Sequence, residues 1–232
     1  MTAQKSGRER QLGRRDRGSI TPEYLIGGAY TLAEEVGLDN LSMPTLAKYL
    51  DIGITSIYWH FRRKDDLLDA MQDRAIAQFA STTWYVGRND WRASLYAYAK
   101  VSWRALCSNP VMCDLILSRE RSSETVARHG AADAERAVAD LVHAGLTPQD
   151  AWDTYNAITI HIRGSLLIRR IYDRQFRTTE VPAERAEDRS AAEGSETASL
   201  RRNVPDEHLF EFGLLCILDS AQQRIGARRT GQ

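Results

Sequence analysis

The chain has 232 residues, of which 43% are hydrophobic, and its 31 basic side chains balance 31 acidic ones. This length suits two unequal domains with sizeable cores. A formal net charge of zero means that affinity for nucleic acid must come from local charge. Three scattered cysteines without metal-binding spacing indicate a reducing, cytoplasmic compartment. The sequence shows neither a long apolar run nor a secretion signal, which predicts that the protein has no membrane partner.

Residues 1–18 form a polar, basic segment. Six basic side chains stand against two acidic ones, a net charge of +4, and no apolar periodicity is present. We therefore expect a disordered arm. Two interpretations stay open: a solvated tail, or an arm that reaches DNA phosphates or a minor groove.

The first of three short helices is predicted near the start of residues 19–66. Thr21 and Pro22 are suited to begin this helix, and Gly37 to end it. Gly28 lies within the helix, at a cost of about 1 kcal/mol relative to alanine. That cost is understandable if another helix packs closely there.

A second and a third helix follow in quick succession. Ser42 is suited to cap the second helix, and Gly53 is expected to supply the turn into the third, over residues 54–61. The inner, apolar face of the third helix is expected to consist of Ile54, Ile57 and Phe61. Its outer face carries small hydrogen-bonding and aromatic side chains, Thr55, Ser56, Trp59 and His60, with Tyr58 beside them. Two short helices joined by a tight turn behind a first helix match a helix-turn-helix.

The outer face of this third helix is suited to DNA. Threonine and serine can bond base edges or phosphates, and apolar surface can contact a thymine methyl. Three basic residues at 62–64 follow where phosphates would lie. The pattern predicts a DNA-binding helix, although a plain three-helix bundle with an exposed tryptophan fits the same spacing.

Longer amphipathic helices make up the remainder of the chain. One begins near residue 64, and others are predicted over residues 91–107, 111–117, 123–144, 148–173 and 206–224. Residues 177–205 are polar without periodicity, which predicts a flexible loop. With no strand pattern, the fold class is all-α. We expect an N-terminal three-helix helix-turn-helix domain over residues 19–66 and a larger C-terminal helical domain over residues 67–232.

Residues 41–71 resemble the DNA-binding domain of the tetracycline-repressor (TetR) family. The matching positions are Leu41, Ser42, Leu46, Ala47, Gly53, Ile57, Tyr58, His60, Phe61, Lys64, Asp66, Leu67 and Leu68. Residues 22–37 fit the family's first helix, and residues 146–151 and 210–214 resemble the C-terminal domain of the tetracycline-repressor branch. The resemblance covers most of the chain outside residues 1–18 and 177–205.

The resemblance implies that double-stranded operator DNA is a partner. The positions it assigns to DNA contacts are Thr45, Ile54, Thr55, Ser56, Tyr58, Trp59, His60 and Lys64. Pro44 occupies a position where the tetracycline repressor itself has a base-contacting arginine. Because proline cannot make that contact, the operator sequence does not carry over from the family.

The resemblance also implies a homodimer. Residues 148–173 and 206–224 would pair across a two-fold axis as a four-helix bundle. Gly164 and Ser165 would allow close helix approach, and apolar contacts would come from residues such as Ile168, Phe212 and Leu215. For any single residue, a place in the protomer's own core is an equally open interpretation. A dimer would present two recognition helices about 34 Å apart, one turn of DNA.

An effector pocket between the middle helices is the third implication. The candidate lining residues are Tyr98, Trp103, Met112, Trp152, Tyr155, Asn156 and Thr159, and the last four are expected to share one helix face. They suit a mostly apolar ligand with a few polar groups, whereas a filled core is the alternative. No histidine lies between Phe61 and His129. We therefore expect no tetracycline–magnesium site. The sequence has no cysteine–histidine cluster with zinc spacing either, and we expect no other metal site and no cofactor.

Three hypotheses follow for the whole chain. The first is a one-component transcriptional regulator, a repressor released from its operator by a small ligand. The second is a helical small-molecule-binding protein or enzyme whose N-terminal helices do not bind DNA. The third is a constitutive regulator with a filled core. Hydrolase, zinc-protease, P-loop and dinucleotide-binding motifs are absent from the sequence, which argues against an enzyme.

Overall fold

The structure is a computed structural model. It describes residues 20–83, 85–87, 90–118, 124–178 and 205–230. The α-helices are α1 (Pro22–Val36), α2 (Met43–Leu50), α3 (Ile54–His60), α4 (Lys64–Thr82), α5 (Trp91–Ser108), α6 (Pro110–Ser118), α7 (Glu124–Ala144), α8 (Pro148–Thr178) and α9 (Glu207–Thr230). A short 3-10 helix, Leu38–Asn40, follows α1.

No strand occurs among the described residues, and the all-α prediction is confirmed. The chain divides into two compact units between Leu67 and Leu68. The predicted arm at residues 1–18 lies outside the described residues. Most of the predicted loop at 177–205 also lies outside them. Helix α8 extends to Thr178, five residues beyond its predicted end at Asp173.

The first unit is built from helix ends that the sequence marks clearly. The backbone N–H of Tyr24 donates to Thr21 Oγ1 at 3.1 Å, which begins α1. Gly37 ends α1 with a positive φ of 83°. A Cβ on Gly28 would lie 2.5 Å from Leu50 Cδ2, so the expected close approach of another helix is confirmed.

The turn between α2 and α3 differs from the prediction. Gly53 has an ordinary extended conformation, with φ −66° and ψ 134°. Asp51 instead adopts the left-handed conformation that ends α2, with φ 52°. A short polar side chain tolerates this conformation better than most non-glycine residues. Gly53 lies in the turn as predicted, but the left-handed residue of the turn is Asp51.

The second unit is organised around α8. This helix packs against α5, α6, α7 and α9, and α9 also packs on α5. Its buried face includes Ala151, Ile158, Ile162 and Leu166. Helix α6 is attached to α4 by a hydrogen bond of 2.9 Å from Gln72 Nε2 to the carbonyl oxygen of Leu115. None of the described helices is long and apolar enough to span a bilayer.

Candidate functional site

The orientation of α3 is set by two apolar anchors. Ile57 is fully buried and Phe61, which follows the helix, is nearly so. The opposite side of α3 carries Tyr58 and Trp59, which are 45% and 82% exposed. A large aromatic ring left in solvent contributes little to folding, so this face is available to a partner.

Ile54 does not belong to the inner face, and that prediction was wrong. It is 37% exposed, although it lies three residues before the buried Ile57. Helical side chains lean toward the N-terminus and cover the preceding turn. As the first residue of α3, Ile54 has no preceding turn of its own helix to cover. Thr55 beside it is also exposed.

His60 and Ser56 are less accessible than the outer-face prediction implied. Both are half-buried. His60 Nε2 lies 3.1 Å from the carbonyl oxygen of Ile20, and its ring meets the Trp59 ring edge-on at 4.7 Å. The imidazole therefore contacts both the backbone at Ile20 and the Trp59 ring. Of its two nitrogens, only Nδ1 is left for another partner.

Thr45 is engaged in the cap of α2. Its hydroxyl oxygen accepts from the Ser42 backbone N–H at 2.9 Å, and Ser42 Oγ accepts from the Thr45 N–H at 3.2 Å. This reciprocal pair is a capping box. Thr45 is exposed beside Pro44, but its hydroxyl already serves the helix start.

Positive charge in the first unit is concentrated at the turn after α3. Arg62 and Arg63 are exposed, and Lys64 begins α4 half-buried. Arg63 Nη2 pairs with Asp66 Oδ1 at 3.0 Å. Residues 20–67 nevertheless carry four basic against seven acidic side chains, a net charge of −3. The basic character of this unit is local to one turn.

The predicted effector residues fall into separate groups. Tyr98 and Tyr155 lie together, and burial, followed by the neighbouring Tyr155 hydroxyl, raises the pKa of Tyr98. Tyr85 meets the Tyr98 ring edge-on at 6.2 Å and donates to Asp140 at 2.8 Å. These aromatic rings form a polar-edged cluster between α5, α7 and α8.

Trp103 lies toward α9 instead. Its ring stacks on Phe210 at 5.0 Å, and its Nε1 has no hydrogen-bond partner among the described residues. Met112 on α6 is buried. Thr159 is half-buried, and the Thr159 hydroxyl donates to the Tyr155 carbonyl at 3.0 Å.

Trp152, Tyr155, Asn156 and Thr159 occupy positions i, i+3, i+4 and i+7 of α8, and the rings of Trp152 and Tyr155 meet edge-on at 6.4 Å, but the four side chains differ in burial. Trp152 and Asn156 are exposed in the protomer, whereas Tyr155 is buried. This face lies at the edge of the packed side of α8, so that Tyr155 is covered while Trp152 and Asn156 remain at the surface.

The predicted dimer residues lie mostly on exposed apolar surface. Helix α8 exposes Ile160, Leu167, Ile168 and Ile171, and α9 exposes Leu209, Phe212 and Leu215. A Cβ on Gly164 would meet nothing within 4 Å. Ser165 is different: it is buried, and its hydroxyl donates to the carbonyls of His161 and Ile162, so it faces the protomer's own core.

Gly213 is a close-approach position that sequence reasoning missed. A Cβ there would lie 2.4 Å from the His161 ring. That ring stacks on Phe210 at 5.0 Å, and its Nε2 lies 2.8 Å from the Phe210 carbonyl oxygen. Only the glycine itself, in the middle of an amphipathic helix, could have signalled this contact.

No three histidine, cysteine, aspartate or glutamate side chains come together as a metal site in the part of the chain that the structure describes. What the first unit does present is a short helix with a buried anchor, an exposed aromatic outer face and a basic turn. These are the features of a helix-turn-helix transcription regulator.

Two family profiles match the sequence, and they correspond largely to the two units of the fold. The profile of bacterial regulatory proteins of the tetR family matches residues 25–71. The profile of the tetracyclin repressor-like C-terminal domain matches residues 86–224. The chain therefore belongs to the tetR family of bacterial regulatory proteins.

Individual relatives agree with this assignment. The chain is 45% identical over 220 residues to an HTH-type transcriptional repressor of Mycobacterium tuberculosis. The alignment covers 91% of this chain and 84% of the relative. A solved structure of a TetR variant from Acinetobacter baumannii in complex with minocycline is 25% identical, covers 88% of this chain and 97% of that chain, and has a TM-score of 0.58. Class A TetR with anhydrotetracycline and magnesium is also 25% identical, with coverage of 88% and 99% and a TM-score of 0.54.

Proposed function

We propose that this chain is a homodimeric repressor that binds operator DNA through α3 and leaves it when a small, mostly apolar molecule binds the second unit. The observation that carries the proposal is the outer face of α3. Tyr58 and Trp59 are exposed there, whereas Ile57 and Phe61 anchor the helix in the core. Arg62 and Arg63 stand exposed at the end of this face, where phosphates would lie.

The dimer is supported by the exposed apolar residues of α8 and α9. Ile160, Gly164, Leu167, Ile168 and Ile171 recur at helical spacing along one side of α8. An apolar stripe of this length is unusual on the surface of a monomeric protein. Pairing it with a second copy, together with Phe212 and Leu215, would give a four-helix bundle across a two-fold axis.

The effector site is supported by the aromatic cluster around Tyr98 and Tyr155. Apolar rings with hydroxyl groups at their edges suit a mostly apolar ligand with a few polar groups. Two related structures contain tetracycline-type ligands, one of them with magnesium. For this chain we propose an effector that binds without a metal ion. Release from DNA requires that the effector favour one of two conformations.

DNA binding is tested with the full chain at a stated, low salt concentration. Genomic fragments, including the region upstream of the gene, are assayed by electrophoretic shift. We expect specific binding that Tyr58→Ala and Lys64→Ala each abolish, with circular dichroism and oligomeric state unchanged. Operator affinity retained by both variants would contradict the proposal, and no binding by the wild type would favour a helical protein that does not bind DNA.

The effector is tested by thermal shift and by reversal of DNA binding. A ligand that binds the folded protein raises its melting temperature. The same compound should release the operator, and Tyr155→Phe should weaken its effect. Compounds that raise the melting temperature without releasing DNA would contradict the regulatory part of the proposal.

We expect the protein to act in the cytoplasm, where its DNA partner lies.

A further inference from the structure

The outer face of α3 offers an unusual set of side chains for recognising DNA sequence. Its exposed members are Ile54, Thr55, Tyr58 and Trp59. The helix contains no arginine, lysine, asparagine, glutamine or carboxylate. It therefore cannot make the bidentate contacts by which arginine recognises guanine or an amide recognises adenine.

The base contacts that remain are single hydrogen bonds, from hydroxyl groups, the Trp59 indole N–H or His60 Nδ1, and apolar contacts. The major groove displays one apolar group, the 5-methyl of thymine, which also distinguishes A·T from T·A. A β-branched aliphatic side chain fits that methyl, because it is stiff and has no polar atom to desolvate.

Ile54 is the aliphatic side chain in the right place. Recognition helices direct their N-terminal residues toward base edges, and Ile54 is the first residue of α3. It is 37% exposed, whereas Ile57, one turn later on the same helix, is fully buried. The helix thus has two isoleucines in different environments: Ile57 is fully buried, and Ile54 keeps 37% of its surface exposed.

We infer that Ile54 is a specificity-determining residue that recognises the 5-methyl group of a thymine in each operator half-site. The inference rests on the proposed function and deepens it, because it names the chemical group that α3 recognises. Burying one methyl group against Ile54 corresponds to about a fourfold change in affinity for each half-site. A symmetric operator would then respond by about fifteenfold when both half-sites change.

The test uses the full chain and an operator selected from a random duplex pool. Each thymine of one half-site, and its symmetry mate, is replaced in turn by deoxyuridine, which lacks only the 5-methyl group. Affinity is measured by fluorescence anisotropy for the wild type, for Ile54→Ala and for the control Val36→Ala, whose side chain is comparably exposed at the end of α1.

Removing the 5-methyl group should weaken binding at one thymine position of the half-site. The wild type and Val36→Ala should lose about fifteenfold affinity when deoxyuridine replaces that thymine in both half-sites. Ile54→Ala should bind the thymine and deoxyuridine operators equally well. Cytosine at the same position should weaken wild-type binding, and 5-methylcytosine should restore part of it, with no such rescue in Ile54→Ala.

Two results would overturn the inference alone. In one, Ile54→Ala binds the selected operator as tightly as the wild type. In the other, deoxyuridine weakens the wild type and Ile54→Ala equally at every position. If the wild type selects no DNA sequence from the pool, the proposed function fails, and the inference fails with it.

Discussion

The carboxylate of Asp114 on α6 accepts two hydrogen bonds from the guanidinium of Arg170 on α8, at 2.8 Å from Nε to Oδ1 and 2.6 Å from Nη2 to Oδ2. Both side chains are largely buried, with 7% of Asp114 and 14% of Arg170 exposed. These hydrogen bonds raise the pKa of Arg170. Removing either partner would leave the other charge largely buried with only a longer ion pair, from Arg170 to Asp173 at 3.8 Å or from Arg174 to Asp114 at 3.3 Å.

Asp114→Ala should therefore lower the free energy of unfolding by about 3 to 5 kcal/mol. Urea denaturation at a fixed protein concentration measures the change. The double variant Asp114→Leu with Arg170→Met removes both charges and should be clearly more stable than Asp114→Ala. A single variant as stable as the wild type, or a double variant no better than the single one, would contradict this account.

Dimerisation should depend on the exposed apolar residues of α8 and α9. Ile168→Glu and Phe212→Glu place a charge on that surface, and each should give a monomer in light scattering coupled to size exclusion. Val101→Glu is the control, because Val101 is comparably exposed on α5. The proposed interface would be ruled out if both α8 and α9 variants stayed dimeric.

Gly213→Ala should destabilise the second unit. The new Cβ would meet the His161 ring at 2.4 Å, and that ring is held by its contacts with Phe210. Overpacking of this kind costs about 1 to 3 kcal/mol, more than the helix propensity gained. Gly226→Ala on the same helix meets nothing within 4 Å and should be stabilising by about 1 kcal/mol. Thermal melts that rank the two variants the other way would refute the packing argument.

The ion-pair cluster between α5 and α9 should make stability depend on pH. Lys100 Nζ lies 2.7 Å from Glu207 and 3.0 Å from Glu211. Hydrogen bonds from Arg104 and Lys100 lower the pKa of Glu207, and those from Tyr96 and Lys100 lower the pKa of Glu211.

A carboxyl group whose folded pKa is depressed stabilises the protein above its unfolded pKa, and that stabilisation is lost as pH falls through the folded pKa. Glu207→Gln with Glu211→Gln should thus be less stable than the wild type at pH 7. The difference should shrink as the pH falls below 4.5, the ordinary pKa of glutamate. Urea midpoints from pH 7 to pH 3 test this, and a difference that stays constant over the whole range would mean that packing, not charge, is responsible.

The basic segment at residues 1–18 should contribute to DNA affinity through charge. Residues 20–67 carry a net charge of −3, so the six basic side chains of that segment matter for attraction to phosphates. The chain enters the first unit at Ile20, within hydrogen-bonding distance of His60.

Replacing those six side chains by glutamine should weaken binding at low salt and flatten the plot of log K against log salt, by about 0.9 for each phosphate that the segment no longer neutralises. Preference among operator variants should be retained. A scrambled segment with the same composition is the control and should behave like the wild type. An unchanged salt slope would favour the interpretation of a solvated tail.

Much of the fold could be predicted because its signals are local. Thr21 and Ser42 cap their helices as expected, and each cap depends on a residue three positions away. The buried anchors Ile57 and Phe61 follow from helical periodicity alone. Helix caps and helical periodicity depend on residues close in sequence, so they can be predicted without knowing which helices pack together.

The parts that could not be predicted depend on partners distant in sequence. His60 is withdrawn from the outer face by a carbonyl 40 positions away, and His161 meets the helix of Phe210 49 positions away. Ser165 faces the core because α8 is surrounded on several sides. Periodicity identifies an apolar stripe, but it does not say which neighbour covers it.

The separation between Ile54 and Ile57 bears on how relatives of this protein could diverge. A substitution at position 57 disturbs the buried anchor and costs several kcal/mol, on the order of 2 to 5 for a change to alanine. A substitution at position 54 lies outside that anchor and costs the fold little. A duplicated gene could therefore acquire a new set of target promoters by changing one exposed side chain, while the helix that carries it stays in place.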